Sequence, residues 1–509
     1  MGRSNGVLQK TVSLVRKQPS LWLGLGTFWC WCWVVIQGPK EVIFGLWEGV
    51  SVSPRELMLI VSLVSFIGLG VIQKYVPKVS EPSMRRTAII VAGILYGATV
   101  FLPKAIGASF AFADIFEIVL SGFLIAFLWI LWGGCLGGTG QKLTLRYGAF
   151  ALLVAFLLAL GAHTLDLERQ AIIRTLLPLV SMAFLLYQNQ PESGVAEGSS
   201  EQKSTFPRKL LVTLFIQGLS LGLLQALLRS VVLEKCTAPY CVWRFLFGFF
   251  GNLNMIDFCS LMSIVGFLLA LFLLIFTNHF LKMNFLHLIY LVGFPLIAIG
   301  FVAVVYSPSF AVGSHPNLFG DVFVFGEVMS TAGYYFSLAI TWVLCSYLIS
   351  QKRIGNEVFV WSGACLFFGQ LSGDGLSRVF VLLQTNSAVV CVLGVFLLLF
   401  SGLVFATNDR VRGEWGGVSP AVDEQPGMYR QACTMVAEAS GLTARESELL
   451  YLFARGRSVE FVHKTLFISK DTVKTHARSI YRKTGIHSQQ ELIDLVEHEI
   501  ELLKSNEGS

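Results

Sequence analysis

Apolar stretches of about 20 residues, the length a helix needs to cross a bilayer, recur along the first 406 positions of the 509-residue chain. Twelve can be marked, at 20–37, 54–73, 87–106, 110–132, 145–163, 171–188, 210–232, 256–279, 285–306, 322–350, 358–382 and 387–406, and each predicts a membrane-spanning helix. A short Pro/Lys/Gly turn near Pro103 and Lys104 separates the third from the fourth. A polar run rich in Ser, Glu, Gln and Pro between Gln188 and Lys209 divides the spans six and six. Beyond span twelve the pattern changes. The segment TNDRVRGEWGGVSPAVDEQPG has no apolar periodicity and reads as a linker. A helix is predicted next, at 428–439, and then four short amphipathic helices.

The starts and ends of those four helices are marked by side-chain chemistry. Thr443-Ala-Arg-Glu446 and Ser488-Gln-Gln-Glu491 both read as capping boxes, in which hydroxyl and carboxylate satisfy the free amides of a first turn. Ser458 and Ser469 are placed to cap the second and third helices, and Gly456 and Gly485 to end the first and third. In the third helix Val473, Ala477, Ile480 and Thr484 form one stripe of buried type. Lys474, Arg478 and Arg482, spaced by four, form another that faces away. The expected fold class is therefore all-α: a polytopic twelve-helix bundle, six plus six, followed by a small four-helix domain. The predicted segments are 1–19, a cytoplasmic N-terminal stretch; 20–188, the first half; 189–209, a cytoplasmic linker; 210–406, the second half; 407–439, linker and connecting helix; and 440–503, the terminal domain.

Composition sharpens the division. Over the whole chain 54% of residues are hydrophobic and 14% charged, too apolar for a wholly soluble protein or a disordered one. The net charge of +6 hides two opposite parts. Residues 1–412 hold 27 Lys/Arg against 18 Asp/Glu, whereas 413–509 hold 11 against 14. Counted on alternate sides of the spans, 18 cations fall on the side of the N-terminus and 9 on the other. By the positive-inside rule both termini are then cytoplasmic. In the tail the charges are sorted by position. Lys464, Lys470, Lys474, Arg478, Arg482 and Lys483 stand against Asp471 alone, and Glu491, Asp494, Glu497, Glu499 and Glu501 follow at once.

Ionisable residues at membrane depth are costly and point to a ligand site. The candidates are Asp114, Glu117, Arg229, Glu327, Asp374 and Arg378. Gln370, Asp374 and Arg378 share a helical face, so the last two either neutralise one another or face a ligand. Asp114 and Glu117 either sit near a helix end or line a pocket. Trp22, Trp29, Trp31 and Trp33 fit interfacial anchors. Cys236 and Cys241 share a predicted outer loop, as a disulfide or as two small hydrophobes. The first 19 residues are polar and basic and show no cleavable signal pattern. No phosphate loop or His-Glu-x-x-His occurs, and no enzyme reading stands out, so no enzyme activity, cofactor or metal is expected.

Three resemblances add to this. Leu442-Thr-Ala-Arg-Glu446, Leu466-Phe-Ile-Ser469, Thr472-Val-Lys-Thr-His476, Ile480-Tyr-Arg-Lys483 and Gly485-Ile-His-Ser488 resemble the LuxR-type DNA-binding domain over about residues 440–499. The resemblance implies a helix-turn-helix whose second helix enters the major groove. It implies Lys474, Thr475 and Arg478 at base edges, and Lys470, Thr472, Arg482, Lys483 and Ser488 at phosphates. It departs from the family at Phe461 and His463, where Glu and Ala are usual. His463 is expected to be a partly buried structural residue. A dimer contact is implied for the last helix, where Leu492, Ile493, Val496 and Ile500 are placed to supply it, part of that stripe serving the domain's own core. The six-plus-six layout resembles the major facilitator superfamily, although the loop QKYVPKVSEPSMRR lacks that superfamily's Gly-x-x-x-Asp-Arg-x-Gly-Arg/Lys motif. The whole resembles membrane-bound LuxR-type regulators of anaerobic gut Actinobacteria. The implied function is a one-component transcriptional regulator in a bacterial cytoplasmic membrane, its spans sensing a small molecule or membrane state. The implied partners are double-stranded promoter DNA, the lipid bilayer, a small-molecule ligand, a second copy of the chain and RNA polymerase. The rival readings are a secondary transporter with a regulatory DNA-binding tail, and a membrane tether for DNA.

Overall fold

The computed structural model describes residues 18–37, 44–47, 50–75, 82–106, 111–137, 141–163, 165, 167–188, 208–235, 255–280, 288–311, 316–350, 355–382, 387–407, 426–466 and 468–506. The chain divides into two compact units, Met1–Pro420 and Ala421–Ser509. Cys236 and Cys241 and most of both predicted linkers lie outside the described residues.

The first unit contains twelve long helices among the described residues: α1 (Pro19–Gln37), α2 (Pro54–Tyr75), α3 (Pro82–Ile106), α4 (Ala111–Gly137), α5 (Gln141–His163), α6 (Leu167–Tyr187), α7 (Arg208–Lys235), α8 (Met255–Phe280), α9 (Phe294–Ala311, entered through the π-helical turn Ile289–Gly293), α10 (Pro316–Ser350), α11 (Glu357–Leu382) and α12 (Ser387–Thr407). A small antiparallel hairpin, β1 (Phe44–Trp47) and β2 (Val50–Val52), stands between α1 and α2, pairing Phe44 with Val52 and Gly45 with Ser51. Helix α3 continues through Pro103 to Ile106, so the turn expected near Pro103 and Lys104 is helical. Among the described residues, six segments are, by length and composition, each long and apolar enough to cross a bilayer: Pro54–Tyr75, Pro82–Phe101, Ile115–Gly137, Leu143–Ala162, Ile289–Tyr306 and Val322–Ile349. With the remaining apolar helices they make this a multi-pass membrane protein.

The packing repeats. Helix α1 packs on α5 and α6, α2 on α4, α3 on α4 and α6. Six helices later α7 packs on α11 and α12, α8 on α10, α9 on α10 and α12. The two halves therefore share one internal arrangement. They meet where α2 packs on α11, α5 on α8, and α4 and α5 on α10.

Between lipid-embedded helices apolar burial supplies little net drive, so close backbone approach and polar ties hold the bundle. The tightest case is α7 against α11. Both carry Gly-x-x-x-Gly, at Gly218 and Gly222 and at Gly369 and Gly373. A Cβ on Gly222 would lie 2.2 Å from the Gln370 carbonyl oxygen, and one on Gly369 would lie 2.3 Å from that of Phe215. Polar ties include Ser62 Oγ to Gly122 O (3.0 Å) between α2 and α4, and Ser181 Oγ to Gly24 O (2.9 Å) between α6 and α1.

Trp29, Trp31 and Trp33 are buried in the core, and only Trp22 is half-exposed, which corrects the expectation of interfacial anchors. Helix α1 is flanked by α5 and α6 and is crossed by further helices, so its aromatic run meets protein instead of headgroups. Trp29 stands edge-on to Trp342 at 5.8 Å, Trp31 to Tyr96 at 6.2 Å and Trp33 to Phe267 at 6.0 Å.

The second unit is a bundle of α13 (Pro426–Ala439), α14 (Ala444–Ala454), α15 (Val459–Leu466), α16 (Lys470–Thr484) and α17 (Gln489–Asn506). Its own core is built on Leu449, Leu450, Phe453, Val462, Val473, Ile480, Leu492, Val496 and Ile500. Helix α14 packs on α16 and α17, α15 on α16, and α13 on both α14 and α17.

The α7–α11 contact generates a test. Gly222→Ala is expected to lower the stability of the detergent-solubilised protein by on the order of 1–3 kcal/mol, because backbone must shift to admit the methyl. Gly375→Ala, on the same helix pair but with nothing within 4 Å of the added Cβ, is expected to leave the melting temperature unchanged or slightly raised. Thermal unfolding followed by fluorescence checks both.

Candidate functional site

Helix α16 is specified from both ends. Ser469 Oγ accepts from the Thr472 amide at 3.1 Å, and Gly485, in the left-handed region at φ 74°, closes the C-terminus. Arg482 and Lys483 lie in the last turn, where the helix dipole favours cations. Val473, Ala477 and Ile480 are buried. Lys470, Thr472, Lys474, Thr475, Arg478 and Arg482 are exposed on the remainder of the surface. The stripe Lys474–Arg478–Arg482 thus runs opposite the buried one, as four-residue spacing requires. The turn before α16 is held by His463 on α15, whose Nδ1 pairs with the Ile468 carbonyl oxygen. Its role is structural. The guanidinium of Arg445 donates to the Leu466 carbonyl (3.0 Å) and so satisfies the C-terminus of α15.

Glu446 organises the unit behind this face. Its carboxylate accepts from the Thr443 amide (2.8 Å), Ser479 Oγ (2.6 Å) and Lys483 Nζ (2.7 Å), while Thr443 Oγ1 accepts from the Glu446 amide. The capping box of α14 is thereby tied to the middle and end of α16. Lys483, expected at a phosphate, is instead committed to this buried carboxylate and to the Gly441 carbonyl. The hydrogen bond from Lys483, followed by those from Ser479 and the Thr443 amide, holds the Glu446 carboxyl well below the usual range. Ser488 is likewise engaged as a cap: its Oγ donates to Glu491 and accepts from the Glu491 amide (3.2 Å). The Glu491 carboxylate accepts from the His487 amide at 2.9 Å, one residue before the position expected for a capping box. That contact and the Ser488 hydroxyl lower the carboxyl's pKa.

The six membrane candidates do not form one site. Asp374 and Arg378 both reach α2, a correction to a pair closed within α11 alone. Arg55 Nη1 donates to both oxygens of Asp374 (2.9 and 3.1 Å), and Arg378 Nη2 donates to Glu56. The two α2 residues are presented by an unforeseen capping box. The Ser53 amide donates to Glu56 (2.8 Å), and Ser53 Oγ accepts from the Glu56 amide (3.2 Å). Pro54 stands at the first helical position, its usual place. Glu327 on α10 accepts from Ser263 Oγ on α8 at 2.7 Å and is buried. Glu117 is half-buried on α4. The side chains of Asp114 and Arg229 lie outside the described residues.

Where the halves meet there is a cavity of about 50 Å³. Trp29, Arg55, Trp129, Tyr334 and Gln370 line it, from α1, α2, α4, α10 and α11. None of the six candidates does, but Asp374 holds Arg55 there. The signal within the sequence was the Ser-Pro-Arg-Glu start of α2, together with Gln370 one turn before Asp374.

Residues 440–496 match the family model for bacterial regulatory proteins of the luxR family. The C-terminal unit carries a LuxR-family helix-turn-helix domain. Over 52 residues, 10% of this chain, it is 44% identical to the uncharacterized response regulatory protein YgeK of Escherichia coli (strain K12), and the match spans 35% of that protein's length. The membrane unit is similar to a bacterial homologue of the iron transporter ferroportin in an outward-facing state, with 14% identity and TM-score 0.48, covering 77% of this chain and 98% of that one. The major facilitator superfamily transporter FucP in the outward conformation gives 13% and 0.46 over 75% of this chain and 97% of that one. The proton:xylose symporter XylE gives 14% and 0.44 over 77% and 93%.

Within the LuxR-family domain, Phe461 is accommodated by the Arg457 guanidinium, 4.9 Å from its ring centroid. Leu492, Val496 and Ile500 are all buried in the domain's own core. These three supply the part of the stripe expected in the core, and of that stripe Ile493 alone is half-exposed. Removing Lys483 leaves a buried carboxylate without its cation. Lys483→Ala is expected to destabilise the unit by about 2–3 kcal/mol, less than for a fully buried pair because the lysine stays 29% exposed. Because the Glu446 carboxyl is depressed in the folded state, its contribution is present above the unfolded value of about 4.3 and is lost as pH falls below it. Urea unfolding of residues 421–509 is expected to show stability declining from pH 5 to pH 3. The decline should be shallower in Glu446→Gln, which starts lower.

Proposed function

We propose that this chain is a membrane-embedded one-component transcriptional regulator. The observation that carries it is the exposed cationic stripe of α16, in a LuxR-family domain, on one chain with a multi-pass unit that has a cavity between its halves. Lys474, Thr475 and Arg478 read base edges in the major groove, and Lys470, Thr472 and Arg482 contact phosphates. Thr475 Oγ1 back-bonds to the Asp471 carbonyl (2.9 Å). Lys483 is removed from the phosphate set by its ion pair, and Ser488 acts first as a cap. The cation count supports cytoplasmic termini in a bacterial membrane, which places the DNA-binding unit beside the chromosome. The same orientation sets the first turn of α2, with Arg55, toward the outer face.

One domain of this size covers too little DNA for tight binding, so two copies act on paired half-sites. The exposed face of α17 is the contact, and promoter DNA and RNA polymerase are the partners. A ligand acts by binding one conformation of the membrane unit more tightly than another and so shifting the population competent for DNA. The repeated halves around a cavity favour a second reading, a secondary transporter with a regulatory tail. Substrate flux in vesicles that survives deletion of residues 421–509 decides for it.

Binding of residues 421–509 to DNA from the gene's own neighbourhood checks the roles. Lys474→Ala and Arg478→Ala are each expected to cost about 1–3 kcal/mol on the preferred site and to relax sequence preference. Arg482→Ala is expected to weaken all sequences alike and to reduce the slope of log K against log salt by about 1. Equal, small effects from all three would overturn the assignment.

A further inference from the structure

The cavity between the halves is lined by polar groups whose hydrogen-bonding capacity is unspent. Among the described residues, Arg55 Nε and Nη2, Trp29 Nε1, Trp129 Nε1 and Gln370 Oε1 are buried and have no hydrogen-bond partner. All four residues line the cavity. Trp29, Trp129 and Gln370 are 3%, 5% and 1% exposed. A buried polar group left unmatched is costly, and native proteins leave few. The unmatched set consists of donors, with one acceptor against four.

The geometry at Arg55 narrows the ligand. Nη1 donates to both oxygens of Asp374, which leaves the Nε–Nη2 edge. That edge presents two parallel N–H groups at the spacing of the two oxygens of a carboxylate. Arg55 lies in the first turn of α2, where the helix dipole favours a negative charge. Glu56 and Arg378 complete a four-charge set with Arg55 and Asp374 that is neutral overall. Leu221 and Phe367 supply apolar wall, which suits an alkyl body. Size sets the rest. A cavity needs about 10–15 Å³ for one water, so about 50 Å³ holds on the order of three to five non-hydrogen atoms.

We propose that this cavity binds a short-chain monocarboxylate of two or three carbons, its carboxylate on the Nε–Nη2 edge of Arg55 and its flank against the indole N–H groups of Trp29 and Trp129. This names the ligand of the membrane unit and rests on the regulator reading only for the consequence of binding. The small number of contacting atoms places the dissociation constant at about 10 µM to 1 mM.

The test uses the full chain in detergent, titrated with acetate and propionate and with acetamide and propionamide, following tryptophan fluorescence and thermal stability. The acids are expected to bind saturably and the amides about tenfold or more weakly. Arg55→Lys keeps the charge beside Asp374 but loses the fork, and Trp129→Phe keeps the ring but loses the donor. Each is expected to weaken propionate about tenfold, measured at a temperature where the variant is fully folded, whatever its melting temperature. Equal binding of acids and amides, undiminished propionate binding by both variants, preference for the larger benzoate, or no binding of either acid overturns the proposal. A reporter on the chain's own promoter, read in parallel, separates the two readings. Acid binding without any change in transcription removes the regulator and leaves the site. Regulated transcription without acid binding removes the site and leaves the regulator.

Discussion

The two ion pairs between α2 and α11 are the interaction on which the membrane unit turns. Arg55 and Glu56 are consecutive, and Asp374 and Arg378 are one turn apart, so two helices from opposite halves are locked in register by opposite charges in reversed order. In the Arg55–Asp374 pair the side chains are only 11% and 3% exposed, so removing one partner strands the other at a cost larger than the pair's net worth. The lock therefore fixes how the halves meet on this side, and it spends only one nitrogen of the Arg55 guanidinium. What remains of that guanidinium faces the cavity between the repeated halves.

The DNA-binding unit is built around a comparable device at smaller scale. Glu446 begins α14, yet its carboxylate is shared with Ser479 and Lys483 on α16. Cap and tertiary contact are the same atoms. The helix that presents Lys474 and Arg478 is thus held by the capping of the helix behind it. Gln489 extends the pattern, donating from Nε2 to the carbonyls of Phe453 and Arg457 and so closing α14 from the start of α17. Short helices in a small domain gain little from propensity alone, and such shared caps are what give them definite ends.

Much of this was legible in the residues. The twelve apolar stretches, the Thr443–Glu446 box, the Ser469 cap, Gly456 and Gly485 at left-handed positions, and the opposed stripes of α16 are local signals, and local physics reads them. The structural role of His463 was also visible. Less legible was anything that depends on a partner far along the chain. Trp29, Trp31 and Trp33 look alike in a hydropathy plot whether they meet headgroups or helices. Leu492, Val496 and Ile500 form a stripe that fits a dimer face as well as a core. Lys483 looks like any other cation of α16 until Glu446 stands beside it.

The sequence by itself determined where helices recur along the chain, which faces of the short helices are apolar, and which unit carries the membrane-length apolar segments. Those properties follow from the chain's neighbours within a turn or two, because capping, periodicity and transfer free energy act over that range. Only the tertiary structure decided which charges pair, since Arg55 and Asp374 are separated by 319 positions and no spacing rule connects them. It decided that four glycines bring α7 and α11 to backbone contact, and that the space between the halves is lined by unmatched donors. Burial and electrostatics at close range depend on which surfaces meet, and that is a property of the packed whole.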